Sequence, residues 1–184
     1  MQLRWSHAVV KVRDLDLMVD FYSRVLGFEV ADRGDLAPGG PGIVFMSQVG
    51  TDHHQIAFLP AGRGDDPPNS VDHVAFRVDD LDDVREMMER VGKDGRGARA
   101  PGPVTHGNAW SIYFQDPEGN GIEVFCDTPW HVAQPQLKPW DPGQTNDEVA
   151  KATQAAFADQ PGFRPFADYV GERTAHFAER ERKT

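Results

Sequence analysis

The sequence predicts an α+β fold: two tandem βαβββ modules, about residues 1–62 and 70–127, then an extended linker and helical tail over 128–184. Three observations predict it. Short Val-rich and Phe-rich runs alternate with segments of helical period. An offset of 66 residues lays the first half of the chain on the second. A Pro- and Trp-rich stretch after residue 127 breaks the pattern.

The elements follow in order. Residues 4–12 (RWSHAVVKV) read as a strand with one His in it. Asp14 or Asp16 caps a helix whose Met18, Phe21, Tyr22 and Val25 fall on one face, and Gly27 stops it. Strands are expected at 28–33, 42–48 and 53–60, separated by the turn material DLAPGGPG and GRGDDPPNS. The pattern then restarts. VDHVAFRV at 71–78 is a strand, and 79–92 is a helix with Val84, Met87, Met88 and Val91 inward. Further strands are expected near 100–105, 109–115 and 121–126. Residues 127–142 hold four Pro and two Trp and should run extended over the surface. Residues 146–157 and 166–182 read as helices that pack on the sheet, cover a pocket or meet a second subunit.

The repeat is specific. Under the offset His7 lands on His73, Asp14-Leu15-Asp16 on Asp80-Leu81-Asp82, Ile56 on Ile122 and Phe58 on Val124. Two copies make paired modules; a solenoid needs at least three.

Composition excludes several classes. Net charge is −10, so the clustered Lys and Arg of a nucleic-acid footprint are missing. No stretch approaches a membrane span, and the first residues do not form a signal peptide. One cysteine, Cys126, forms no intrachain disulfide and reads as a small packed residue. The chain is expected to be soluble and cytoplasmic.

The repeat also organises the chemistry. His7 and His73 hold equivalent places on the first strand of each module, and Ala57 and Glu123 on the last. Three of four related places therefore carry a metal donor. Two His and a carboxylate with open positions form the facial triad of non-haem Fe(II) oxygenases. Glu123 in the apolar run IEVF needs a partner, and a cation is the simplest one. His53 and His54 open a strand, and alternation points only one of them into the site. His106 suits acid–base work, and the Tyr113 hydroxyl can donate to a developing oxyanion. His131 and His176 read as surface or tail-packing residues.

HAVVKVRDLDLMVDFYSRVLGFEV and YFQDPEGNGIEVF resemble the vicinal oxygen chelate superfamily over residues 1–127. That superfamily includes glyoxalase I, fosfomycin resistance proteins, methylmalonyl-CoA epimerase and type I extradiol dioxygenases. The resemblance implies that the modules pair into a barrel of that type. Glyoxalase I and the epimerase place a further ligating residue where this chain has Ala57, which argues against both. The chain is most similar to a small one-domain extradiol catechol dioxygenase. Those enzymes match His7, His73 and Glu123 as ligands, His54 in HQIAF, Tyr113 ten residues before the Glu, and His106-Gly107 before that Tyr.

The resemblance then implies Fe(II), with Mn(II) as the other candidate. His54 would act as acid/base beside bound oxygen, Tyr113 would bond a substrate oxygen, and His106 would help hold the catecholate. The implied partners are an aromatic diol and dioxygen, with no nucleic acid or membrane, in a homo-oligomer. Phe45, Met46 and Trp110 are expected to line the ring site. The alternatives are a fosfomycin-resistance-like thiol transferase, a glyoxalase or isomerase, and a non-catalytic binder.

Overall fold

The computed structural model describes residues 7–35, 42–49, 54–60, 73–96, 102–133 and 136–183. Contacts divide the chain into two units. One comprises Met1–His73, Lys93–Arg99 and Gln115–Gly121; the other comprises Val74–Gly92, Ala100–Phe114 and Ile122–Thr184.

In the first unit β1 (Ala8–Val12) leads into α1 (Leu15–Arg24), followed by β2 (Glu29–Asp35), β3 (Gly42–Ser47) and β4 (Ile56–Pro60). Asp14, not Asp16, is the cap; its carboxylate accepts from the Leu17 amide at 2.9 Å. The helix ends as expected: Gly27 takes φ +78° and the Phe28 amide closes back on the Tyr22 carbonyl at 2.9 Å. The sheet order is β1-β4-β3-β2, with β1 and β4 parallel.

Register settles which side chains form the core. Ala8 faces Ile56 and Val10 faces Phe58, while Val44 and Met46 face Phe58 and Ile56 from the other side. This face meets α1, where Tyr22 sets its ring edge on Phe58 at 4.7 Å. Met18, Phe21, Tyr22, Met46, Ile56 and Phe58 are all buried. Each such side chain stabilises by about 1.5–3 kcal/mol against exposure. Met46 therefore belongs to the core and not to a ring site, because adjacent strand residues point to opposite faces.

The turn DPEGNG does more than reverse the chain. Glu118 Oε1 accepts from the Arg13 and Asp14 amides at 2.6 and 2.7 Å, just ahead of α1. Buried Asp116 accepts from the Glu118 and Asn120 amides at 2.9 Å each, and from the Tyr22 hydroxyl at 3.5 Å.

The remaining elements repeat the order. They are β5 (His73–Arg77), α2 (Leu81–Asp94), β6 (Gly102–Thr105), β7 (Ala109–Gln115) and β8 (Gly121–Asp127). The second sheet runs β10-β6-β7-β8-β5. Without β10 this is the first order with each number raised by four, so the duplication read from the sequence holds in the topology.

The tail adds β9 (Trp130–His131), β10 (Lys138–Pro139), α3 (Asn146–Phe157), β11 (Arg164–Pro165) and α4 (Phe166–Lys183). The expectation of a surface strap over 127–142 is corrected here. Thr128, Val132 and Trp140 are buried, and β10 joins the sheet beside β6. Apolar Trp and Val in a Pro-rich run are core material as well as linker. A capping box starts α3, with the Thr145 side chain and Glu148 satisfying each other's amides. Among the described residues no helix is long and apolar enough to cross a membrane.

Candidate active site

In the first unit His7 precedes β1 and His54 stands two residues before β4. The Ala8 amide bonds the Gln55 carbonyl at 3.1 Å, which brings the two histidines side by side. Their ring centroids lie 4.3 Å apart, and Phe45 sets its edge on His54 at 4.8 Å. Phe45 pairs with Ala57, and Ala57 pairs with Val9 across β1, so Phe45, Ala57 and Val9 share one face. That is the face opposite the α1 core. His73 opens β5 and, like His7, is exposed. His53 lies outside the described residues.

In the second unit Glu123 sits in mid-strand on β8, 8% exposed between Ile122 and Val124, both buried. His106 opens the β6–β7 turn. Its Nε2 is 3.1 Å from the Tyr113 hydroxyl and 3.8 Å from Glu123 Oε1. Its Nδ1 is 2.7 Å from the Gln136 carbonyl. The seven-residue spacing from His106 to Tyr113 thus closes into a hydrogen bond, because the hairpin folds one over the other. Gln136 is the residue that sequence reading missed; a backbone carbonyl leaves no side-chain signature.

Trp110 does not join these groups. It is buried and donates its indole N–H to Thr153 Oγ1 of α3 at 2.8 Å. Cys126 is no nucleophile: burial and the carboxylates of Asp80, Asp127 and Asp83 push its thiol up to about 12. A cavity of about 360 Å³ lies elsewhere in this unit, lined by Lys138, Trp140, Val149 and Thr153 among others. None of the six sequence-predicted residues lines it.

The predicted ligands are divided, His7 and His73 in one unit and Glu123 in the other. Among the described residues no three His, Cys, Asp or Glu side chains are gathered as a ready metal cage. The chemistry of the donors nevertheless fits a divalent metal. Two imidazoles and one carboxylate suit iron or manganese.

Comparison with known proteins decides the family. Residues 4–124 match the model of the Glyoxalase/Bleomycin resistance protein/Dioxygenase superfamily. The chain belongs to this superfamily.

Within the glyoxalase/dioxygenase superfamily, two kinds of enzyme stand equally near. Biphenyl-2,3-diol 1,2-dioxygenase 2 of Rhodococcus globerulus is 29% identical over 128 residues, 67% of this chain and 63% of that protein. The match thus spans under two thirds of the dioxygenase. A probable lactoylglutathione lyase of Synechocystis sp. is 28% identical over 121 residues, 64% of this chain and 91% of that protein. Among solved structures, a glyoxylase/bleomycin resistance protein/dioxygenase domain from Frankia sp. shares the fold. Its TM-score is 0.59 at 24% identity, over 71% of this chain and 96% of that one.

Proposed function

We propose that this glyoxalase/dioxygenase superfamily member is an Fe(II)-dependent extradiol dioxygenase acting on a catechol-type aromatic diol with O2. His7, His73 and Glu123 hold the metal, with Mn(II) as the competing occupant. The reading treats residues 1–127 as one two-module domain and the active protein as a homo-oligomer. The observation that carries it is the acid–base group that each module sets beside its ligand. The His54 ring lies tilted against His7 with centroids 4.3 Å apart, and His106, hydrogen-bonded to Tyr113, stands 3.8 Å from Glu123. Ala57 supports it, because the fourth repeat-related place offers no ligand and leaves positions open for substrate and gas.

Fe(II), held by His7, His73 and Glu123, would supply a Lewis acid and a path for electrons from the diol to dioxygen. The chain's own groups do the rest. Phe45 packs on His54 and limits its ring orientation. The His54 imidazole is the acid–base group beside His7. Tyr113 bonds a diol oxygen, and His106 takes up or returns its proton.

The test is anaerobic loading with Fe(II), then oxygen uptake and absorbance with catechol, 3-methylcatechol and 2,3-dihydroxybiphenyl. The expected result is oxygen consumption with a yellow ring-opened product, lost in His7→Ala and Glu123→Ala. A second reading, a metal-dependent lyase or isomerase, is favoured by the Synechocystis lyase, which matches along 91% of its length. No uptake with any diol in the metal-loaded chain overturns the dioxygenase and turns attention to thiol substrates with Mn(II).

A further inference from the structure

The tail beyond residue 124 lies outside the family match, yet it touches both His106 and the Gly107 that follows it. The Gln136 carbonyl stands 2.7 Å from His106 Nδ1. A carbonyl can only accept, so Nδ1 carries the hydrogen. A neutral imidazole has one N–H, so Nε2 is left with its lone pair. The Tyr113 hydroxyl at 3.1 Å is then the donor to Nε2. The Glu123 oxygen at 3.8 Å is beyond hydrogen-bond length and does not set the tautomer.

The turn itself is also clamped. Gly107 takes φ +81°, and a Cβ there would collide with Val132 Cγ1 and stand 3.2 Å from the Phe157 ring. Thr128 Oγ1 donates to the Gly107 carbonyl at 2.7 Å. The strap that carries Gln136 is anchored to the same hairpin. Lys138 pairs with Thr105 and Pro139 with Val104. The Trp140 indole N–H donates to the Ser111 carbonyl at 3.1 Å, and the Gln136 side-chain Nε2 donates to the Ala133 carbonyl at 3.1 Å.

We propose that the C-terminal strap is a positioning element of the active site, in which the Gln136 carbonyl holds His106 as its Nδ1–H tautomer and leaves Nε2 as the proton-accepting nitrogen toward Tyr113. The inference rests on the proposed function and names how its acid–base pair is set. It gives the pair a direction. The Tyr113 proton points at His106, so the Tyr113 oxygen receives a hydrogen bond from a diol hydroxyl.

The experiment reads the tautomer directly. Long-range 1H–15N correlation spectra of the metal-free, 15N-histidine-labelled full chain at neutral pH are assigned with His106→Gln. The expected pattern is Nδ1–H for His106, with Tyr113→Phe moving only its Nε2 signal. Trp140→Phe removes one anchor of the strap. It is expected to mix the tautomers and, in the Fe(II)-loaded chain, to lower kcat about 10- to 100-fold with little change in KM. An Nε2–H pattern, or equal tautomers in the unsubstituted chain, overturns the inference. A fixed Nδ1–H tautomer in a chain that cleaves no diol supports the positioning role while the reaction class falls. Turnover with averaged tautomers does the reverse.

Discussion

At Gly107 one hydrogen atom decides whether the His106 turn can form. The left-handed backbone suits glycine, and Val132 and Phe157 occupy the space a Cβ needs. Gly107→Ala combines backbone strain with overpacking, each costing about 1–3 kcal/mol. It is expected to lower the urea midpoint correspondingly, with the change in stability visible before any assay of activity. A loss under about 0.5 kcal/mol would show that the tail yields easily and does not clamp the turn. The same scale separates the histidines. His106 has partners that define each ring nitrogen, while His54 is oriented by ring packing against His7 and Phe45.

Among the elements, the tail carries a pH-sensitive contact. His131 on β9 stacks on Tyr169 of α4 with centroids 3.8 Å apart. Across the β9–β11 pair it faces Arg164, whose guanidinium lies over the Tyr169 ring and pairs with Glu172. Burial, then the Arg164 charge, lowers the His131 pKa from its ordinary 6.5, with Glu172 opposing. The folded state therefore binds this proton less readily than the unfolded chain. Its contribution to stability is present above 6.5 and declines as pH falls below that value. The protection of α4 amides, relative to their intrinsic exchange rates, is expected to fall on acidification from pH 7 to 5.5. His131→Phe keeps the stack on Tyr169 and should flatten that dependence. An unchanged pH response in the Phe variant would assign it to other groups.

For the whole molecule, metal binding by the proposed ligands should couple to global stability. A metal held only by the folded chain raises stability by about 2.7 kcal/mol at one hundred times its Kd. Fe(II) under anaerobic conditions, or Mn(II), is expected to raise Tm, and chelation to reverse the rise. His7→Ala, His73→Ala and Glu123→Ala should each abolish the shift. His54→Ala should keep it while losing turnover, because His54 is assigned to proton transfer. A wild-type chain indifferent to both metals refutes the ligand set, whatever its activity.

The sequence by itself determined the duplication, because a repeat writes itself into spacing. His7 on His73, the shared Asp-Leu-Asp and the matched apolar periods are one-dimensional facts, and both sheets follow the same strand order. It also supplied the superfamily, since YFQDPEGNGIEVF is local. The tertiary structure decided the rest. Met46 and Trp110 are apolar wherever they point, and only register and the Thr153 contact sent them to the core. The Pro-rich strap became part of a sheet because β6 offered an edge, an event of pairing and not of composition. The direction of the His106–Tyr113 bond came from a backbone carbonyl thirty residues away. Every residue has such a carbonyl, so no sequence pattern marks the one that folding brings into place.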